Sequence, residues 1–199
     1  MCGRFFVVDE TTDAIERLVR EVKVGLKEEQ RTGDIHPTER AAVISVGENG
    51  MIADRKRWGF PSFEKKKVLI NARTETVLER KMFRESVLSR RIIIPAAGFY
   101  EWNSQKEKAT FTARDAHGES PSVLYMAGFY KRFEEEDRFV ILTTKANGSM
   151  RDVHDRMPLI LEENEVEEWL YDDNGFEQYL YKVPRALYKE MEYEQQRLF

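Results

Sequence analysis

Between Arg4 and Leu161, short runs of β-branched and aromatic residues follow one another with Gly, Pro, Asn and charged residues between them. This rhythm constrains the fold more than any other feature of the chain. Residues 4–8, 41–46, 51–58, 68–71, 92–94, 99–102, 109–113, 125–129, 139–143 and 158–161 read as strands. The Asn49-Gly50 pair between the second and third of these marks a hairpin. Helical spacing is confined to residues 12–24, where Ile15, Leu18, Val19 and Val22 share one face, to residues 75–89, and to peripheral stretches at 163–170 and 176–181. Because strands dominate and do not alternate regularly with helices, the pattern predicts an α+β fold. Its expected core is a largely antiparallel, curved, barrel-like sheet with peripheral helices, not a doubly wound parallel sheet.

A chain of 199 residues with 41% apolar residues is long enough for one sizeable core, so a single domain over 1–199 and a monomer are expected. The apolar run after MCGR is too short for a signal peptide, and no run approaches membrane-spanning length, so a cytoplasmic protein that does not contact membranes is expected. The single cysteine excludes an internal disulfide. Three scattered histidines without HxxxH or CxxC spacing suggest neither a metal nor any other cofactor. The net charge of −4 is unevenly distributed. Residues 55–91 hold twelve Lys/Arg against four Glu, whereas 162–177 hold eight acidic residues and no basic one. Both runs are compatible with solvated surface, but the first would also attract phosphate while the second keeps the protein soluble.

A lone cysteine is ordinarily a small buried hydrophobe. At position 2, however, removal of Met1 would leave Cys2 with a free α-amine. With reference pKa values of about 7.7–8.0 for the amine and about 8.5 for the thiol, both groups have reactive fractions near neutrality. Such a 1,2-aminothiol condenses with an aldehyde to an imine, which the thiol closes to a thiazolidine. The opening MCG is shared with class II glutamine amidotransferases, in which the N-terminal cysteine attacks an amide. It therefore leaves the reaction open.

Four further segments, RWGF at 57–60, INARTET at 70–76, PAAGFYEW at 95–102 and HDRMPLIL at 154–161, together with the MCG start resemble the SRAP family in order and spacing. Members of that family are sensors of abasic sites that form thiazolidine DNA–protein crosslinks, and were first labelled SOS-response-associated peptidases. The resemblance runs from Cys2 to about Trp169. It departs from the family pattern where a WGLIPSW-like stretch is shortened to WGFPSF, where Ala97 replaces an acidic residue, and after Leu180.

The resemblance implies a catalytic set of Cys2, Asn71, Glu101 and His154. Asn71 would hold the Cys2 amine and the opened sugar, and Glu101 would move a proton to or from the sugar ring oxygen. His154 would donate to the sugar or phosphate. Arg4, Arg73 and Arg156 map to phosphate-facing positions, and Trp58 and Phe60 to an aromatic edge that stacks on bases. Each of these residues also has an ordinary structural alternative: a strand-end cap for Asn71, solvent for Glu101, surface ion pairs for the arginines, core packing for the aromatics. His36 and His117 carry no assigned role. The expected partner is single-stranded DNA containing abasic sites, with strand cleavage as a side reaction of the imine. The alternatives are an amidotransferase-type amide hydrolase and a non-catalytic single-strand-binding module.

Overall fold

The computed structural model describes residues 2–19, 21–22, 32–62, 67–114, 121–134 and 136–192. Lys23 and Val24, where the first helix was expected to end, lie outside them, as do Lys65, Lys66, His117 and the last seven residues.

Five strands close into a barrel. Leu124–Phe133 lies between Arg91–Ala96 and Glu136–Lys145, with antiparallel pairing on both sides. Arg91–Ala96 meets Arg40–Gly47 at Ile93 and Ile44, and Arg40–Gly47 forms a hairpin with Gly50–Trp58. The ring is sealed where Gly50–Trp58 runs parallel to Glu136–Lys145, in the register Arg57 to Arg138 and Trp58 to Phe139. The run Arg91–Ala96 is buried at every position, as expected of a strand covered on both faces. Asn71–Arg73 adds to the far part of Glu136–Lys145, again in parallel, opposite residues 141–143.

A second sheet carries the N-terminus. Arg4–Val7 is flanked by Gly33–Ile35 and Gly98–Trp102, both antiparallel. Beyond Gly98–Trp102 lie Lys108–Arg114 and the edge strand Tyr188–Glu192. The chain passes from barrel to second sheet through Ala97, whose N–H donates to Phe6 C=O at 2.9 Å. Gly98 is required at this crossing, because a Cβ there would lie 2.5 Å from Phe111 O and 2.6 Å from Phe6 Cζ.

Three helices, Asp9–Leu18, Lys81–Ser89 and Val166–Tyr171, contact the barrel strand Arg91–Ala96. The last is anchored by Arg91, 4% exposed, whose guanidinium donates to Trp169 O and Leu88 O at 2.6 Å each and lies 4.4 Å above the Phe176 ring. The first helix begins three residues before the expected start. Thr11 Oγ1 accepts the Val8 N–H at 3.2 Å while the Thr11 N–H donates to Val8 O, closing the entry turn early. It ends at Leu18, and Glu21–Val22 instead pairs with Ile52 and Ala53. The helix expected over 75–89 is also divided: Thr74–Thr76 forms a 3-10 turn, with Glu75 drawn onto Arg156, before Lys81–Ser89 becomes α-helical.

Candidate active site

Cys2 precedes Arg4–Val7 by one residue and is completely buried, in a core cluster that includes Phe5, Trp58, Ile141, Met150 and Val153. Its Sγ lies 3.8 Å from the Arg4 carbonyl oxygen. Burial pushes the thiol well above its ordinary pKa, and the negative charge of nearby Glu101 pushes it further, so the thiol is held protonated. Glu101 itself is 4% exposed, on Gly98–Trp102, with Oε2 3.4 Å from the Trp102 N–H. The strand register explains this neighbourhood: Arg4 faces Tyr100, so the residues just before Arg4 lie level with those just after Tyr100.

Asn71 reaches in from the barrel side. Its Nδ2–H donates to the Cys2 carbonyl at 3.0 Å, while Oδ1 is buried and has no hydrogen-bond partner among the described residues. An amide fixed through one end, with its acceptor end unused, can take the N–H of an amine or the hydroxyl of an opened sugar. The structure therefore brings Cys2, Asn71 and Glu101 together. His154 follows Val153, on the turn whose Met150 and Val153 pack in the Cys2 cluster. His154 Nδ1 accepts the Arg156 backbone N–H at 2.9 Å, which makes Nε2 the donor end of the neutral ring. Asp155 Oδ1 stands at the same 2.9 Å from Nδ1.

Beyond Asn71 opens a cavity of about 550 Å³ lined by Arg73, Lys145, Arg151 and Arg156 together with Glu75 and Asp155. Arg73 is exposed at its rim. Arg156 forms the inner wall: it is 6% exposed, grips Glu75 in a fork of 2.5 and 2.9 Å, and gives its Nη2 also to Thr143 O. That fork holds Glu75 below the usual carboxylate range. The Nη donors expected to face phosphate are thus already committed within the protein. Arg4 lies 3.7 Å from Asp34 Oδ2 and 5.2 Å above the Trp102 ring, about a third exposed.

The expectation that Trp58 and Phe60 stack on bases is corrected, since both are 0% exposed. Trp58 donates its Nε1–H to Ile70 O at 3.0 Å and packs 5.1 Å from Phe5. Phe60 sits in a cluster with Phe83, Phe129 and Phe133. Neither ring has a free face for a base; both belong to the core. Missed from sequence were Glu75, Lys145 and Arg151. The signal was present, because Lys145 and Arg151 are the only Lys or Arg between Arg138 and Arg156, immediately before the HDRMP segment.

Among the described residues no group of three or more His, Cys, Asp or Glu stands close enough to hold a metal ion, and no helix is long and apolar enough to cross a membrane.

The family model described as SOS response associated peptidase, SRAP, matches residues 1–196. The chain belongs to the SRAP family. Among SRAP relatives, it is 34% identical to abasic site processing protein YoqW of Bacillus subtilis, over 90% of this chain and 84% of that one. To abasic site processing protein YedK of Escherichia coli it is 28% identical, over 85% and 79%. To abasic site processing protein HMCES of Xenopus tropicalis it is 28% identical, over 50% and 37%. The fold is shared with crystal structures of a Bordetella bronchiseptica protein (TM-score 0.78, 22% identity, 97% and 100% covered) and a Bacteroides thetaiotaomicron protein (TM-score 0.79, 22% identity, 96% and 91% covered).

Proposed function

We propose that this SRAP protein processes abasic sites, and that it does so by joining Cys2 covalently to the lesion in single-stranded DNA. The observation that carries this reading is the placement of Cys2 between the Asn71 amide and the Glu101 carboxylate, next to a cation-lined cavity. The names of the relatives support abasic DNA as the substrate.

The chemistry follows from the groups present. Glu101 transfers a proton to or from the ring oxygen of the abasic sugar as the ring opens to its C1′ aldehyde. After removal of Met1, the Cys2 α-amine attacks that carbon, forming a C–N bond and releasing water to give an imine. The Cys2 sulfur then adds to the imine carbon. Because burial keeps the thiol protonated, the S–H proton passes to the nitrogen as the C–S bond forms, and the product is a neutral thiazolidine. Asn71 holds the Cys2 carbonyl so that amine and thiol meet the same carbon, while the His154 Nε2–H donates to a sugar hydroxyl. At the imine stage the 3′ phosphate can leave by β-elimination, giving weak strand cleavage as a side reaction.

The test is incubation of the processed protein with single-stranded DNA containing one abasic site, followed by heating in denaturant and electrophoresis. A shifted band is expected with wild type and not with Cys2→Ala. Cys2→Ala should still bind undamaged strands, and its retention of the band would exclude Cys2 as the nucleophile.

A further inference from the structure

His154 ends a turn that is held in place from outside the Cys2 pocket. Within the turn, the Asn147 carbonyl accepts the Met150 and Arg151 N–H groups and the Met150 carbonyl accepts those of Val153 and His154, at 2.9–3.2 Å. These bonds give the turn its internal shape; side chains fix where it sits on the barrel. Asn147 Nδ2 donates to Pro184 O and to Arg185 O, both at 2.9 Å. Asn147 Oδ1 accepts the Ser149 N–H at 2.9 Å and the Ser149 hydroxyl at 2.6 Å. The amide thus uses both of its N–H bonds and both acceptor sites of its oxygen. Ser149 Oγ in turn accepts the Leu187 N–H at 3.0 Å, and Lys189 pairs with Asp152.

The segment that takes these bonds is itself fixed to the sheet that carries Glu101. Leu187, 7% exposed, packs in the Cys2 cluster with Met150 and Val153. One residue later Tyr188–Glu192 begins, paired with Lys108–Arg114, where Ala109 faces Met191 on one side and Glu101 on the other. Residues 184–187 therefore bridge the turn of His154 to the sheet of Glu101. They lie beyond Leu180, outside the part of the chain that carries the family resemblance.

We propose that Asn147 is a positioning residue for the reaction at Cys2: by clamping its turn to residues 184–187, with Ser149 as a second tether, it sets His154 at working distance from the sugar. The inference rests on the abasic-site reading, in which the His154 Nε2–H donates to a sugar hydroxyl. A reacting group displaced by about 1 Å can cost about 10²-fold in rate. Loss of the clamp therefore slows the chemical step and spares binding of the DNA backbone.

The test is a double-mutant cycle on the single-turnover rate of heat-stable crosslinking to abasic single-stranded DNA, at saturating protein and at a temperature where circular dichroism shows each variant folded. Asn147→Ala should slow crosslinking by about 10²-fold, while fluorescence anisotropy gives the wild-type Kd for an undamaged single strand. Because the clamp acts through His154, the double variant Asn147→Ala with His154→Ala should be no slower than His154→Ala alone. Losses that multiply would show a general loosening and overturn the proposal, as would a wild-type rate in either single variant. Should Asn147→Ala not fold, Ser149→Ala and Ser149→Thr take its place. The first removes the hydroxyl that holds Leu187 and should be slow; the second keeps it and should retain the wild-type rate. Equal rates for these two overturn the proposal. A separate arm needs no crosslink: in NMR spectra the Cε1–H signal of His154, identified by its absence in His154→Ala, should shift in Ser149→Ala while that of His36 stays fixed. If wild type forms no heat-stable adduct, the covalent reading of Cys2 fails, and an unmoved His154 signal refutes the clamp on its own.

Discussion

Replacing Glu136 by Gln probes the seam that closes the barrel and backs the core cluster around Cys2. Glu136 receives Arg40 Nη2 at 2.8 Å, Arg57 Nε at 2.7 Å and Arg138 Nη2 at 3.2 Å, so one carboxylate ties three strands together where Gly50–Trp58 meets Glu136–Lys145. The next residues along that seam are Trp58 and Phe139, stacked 6.3 Å apart, with Trp58 against Phe5. The Arg57 hydrogen bond, followed by that of Arg40, lowers the Glu136 carboxyl from 4.5 to about 2. At about 1.36 kcal/mol per pH unit, this gap corresponds to about 3 kcal/mol of stability. The side chain is 23% exposed, and the water it retains reduces the expected loss on Glu136→Gln to about 2 kcal/mol at pH 7. For a chain of this size that is a fall of about 4–8 °C in Tm. Because the folded-state value is depressed, the contribution is complete above about 4.5, declines as pH falls and is gone below about 2. Thermal unfolding followed by circular dichroism at pH 7 and pH 3.5 should therefore show the wild-type advantage shrink by about 1 kcal/mol at the lower pH. An advantage of the same size at both values would refute the assignment of stability to the ionised carboxylate.

Three further outcomes are expected. A protein that retains Met1 or an N-terminal tag has its Cys2 nitrogen in a planar amide that cannot form an imine; it should bind DNA normally but yield no heat-stable adduct until a protease exposes Cys2. Equal crosslinking by blocked and processed protein would require another nucleophile. Glu101→Gln should slow crosslinking by about 10²- to 10⁴-fold while speeding alkylation of Cys2 by iodoacetamide, because it removes both a proton carrier and a charge that raises the thiol. Both rates staying at wild-type values would leave Glu101 a structural residue. Trp58→Ala should cost about 3–5 kcal/mol of folding stability in urea denaturation; weaker DNA binding with unchanged stability would restore the base-stacking role for that ring.

The strands were legible because their signal is local. The hairpin around Asn49 was recovered within a residue at each end, although Gly47 pairs with Gly50, so the loop is Glu48-Asn49 and not Asn49-Gly50. Gly33–Ile35 and Tyr188–Glu192 were missed, one being three residues long and the other, Tyr-Lys-Glu-Met-Glu, a mostly polar strand on an edge. The parallel pairings that close the barrel join segments about eighty residues apart, and nothing in a local pattern encodes them. At the site, the motif pattern grouped Cys2, Asn71 and Glu101, and the fold places the three side by side. The pattern could not tell a ring at a groove from a ring in the core, since both demand a large aromatic. Nor could it foresee that Glu75, within the same INARTET segment as Arg73, would take the guanidinium of Arg156.

Arg4–Val7 is an inner strand of its sheet, bonded on both sides, and only Gly3 separates it from Cys2. If Cys2 is joined to DNA as proposed, that strand would be the mechanical anchor of the adduct. A polymerase or helicase pulling on the DNA would load two hydrogen-bonded ladders together, in shear, with no slack linker to extend first. The proposed adduct would then yield only when the sheet itself gives way, and the folded protein would be a blunt physical obstacle on the strand as well as a chemical cap on the lesion.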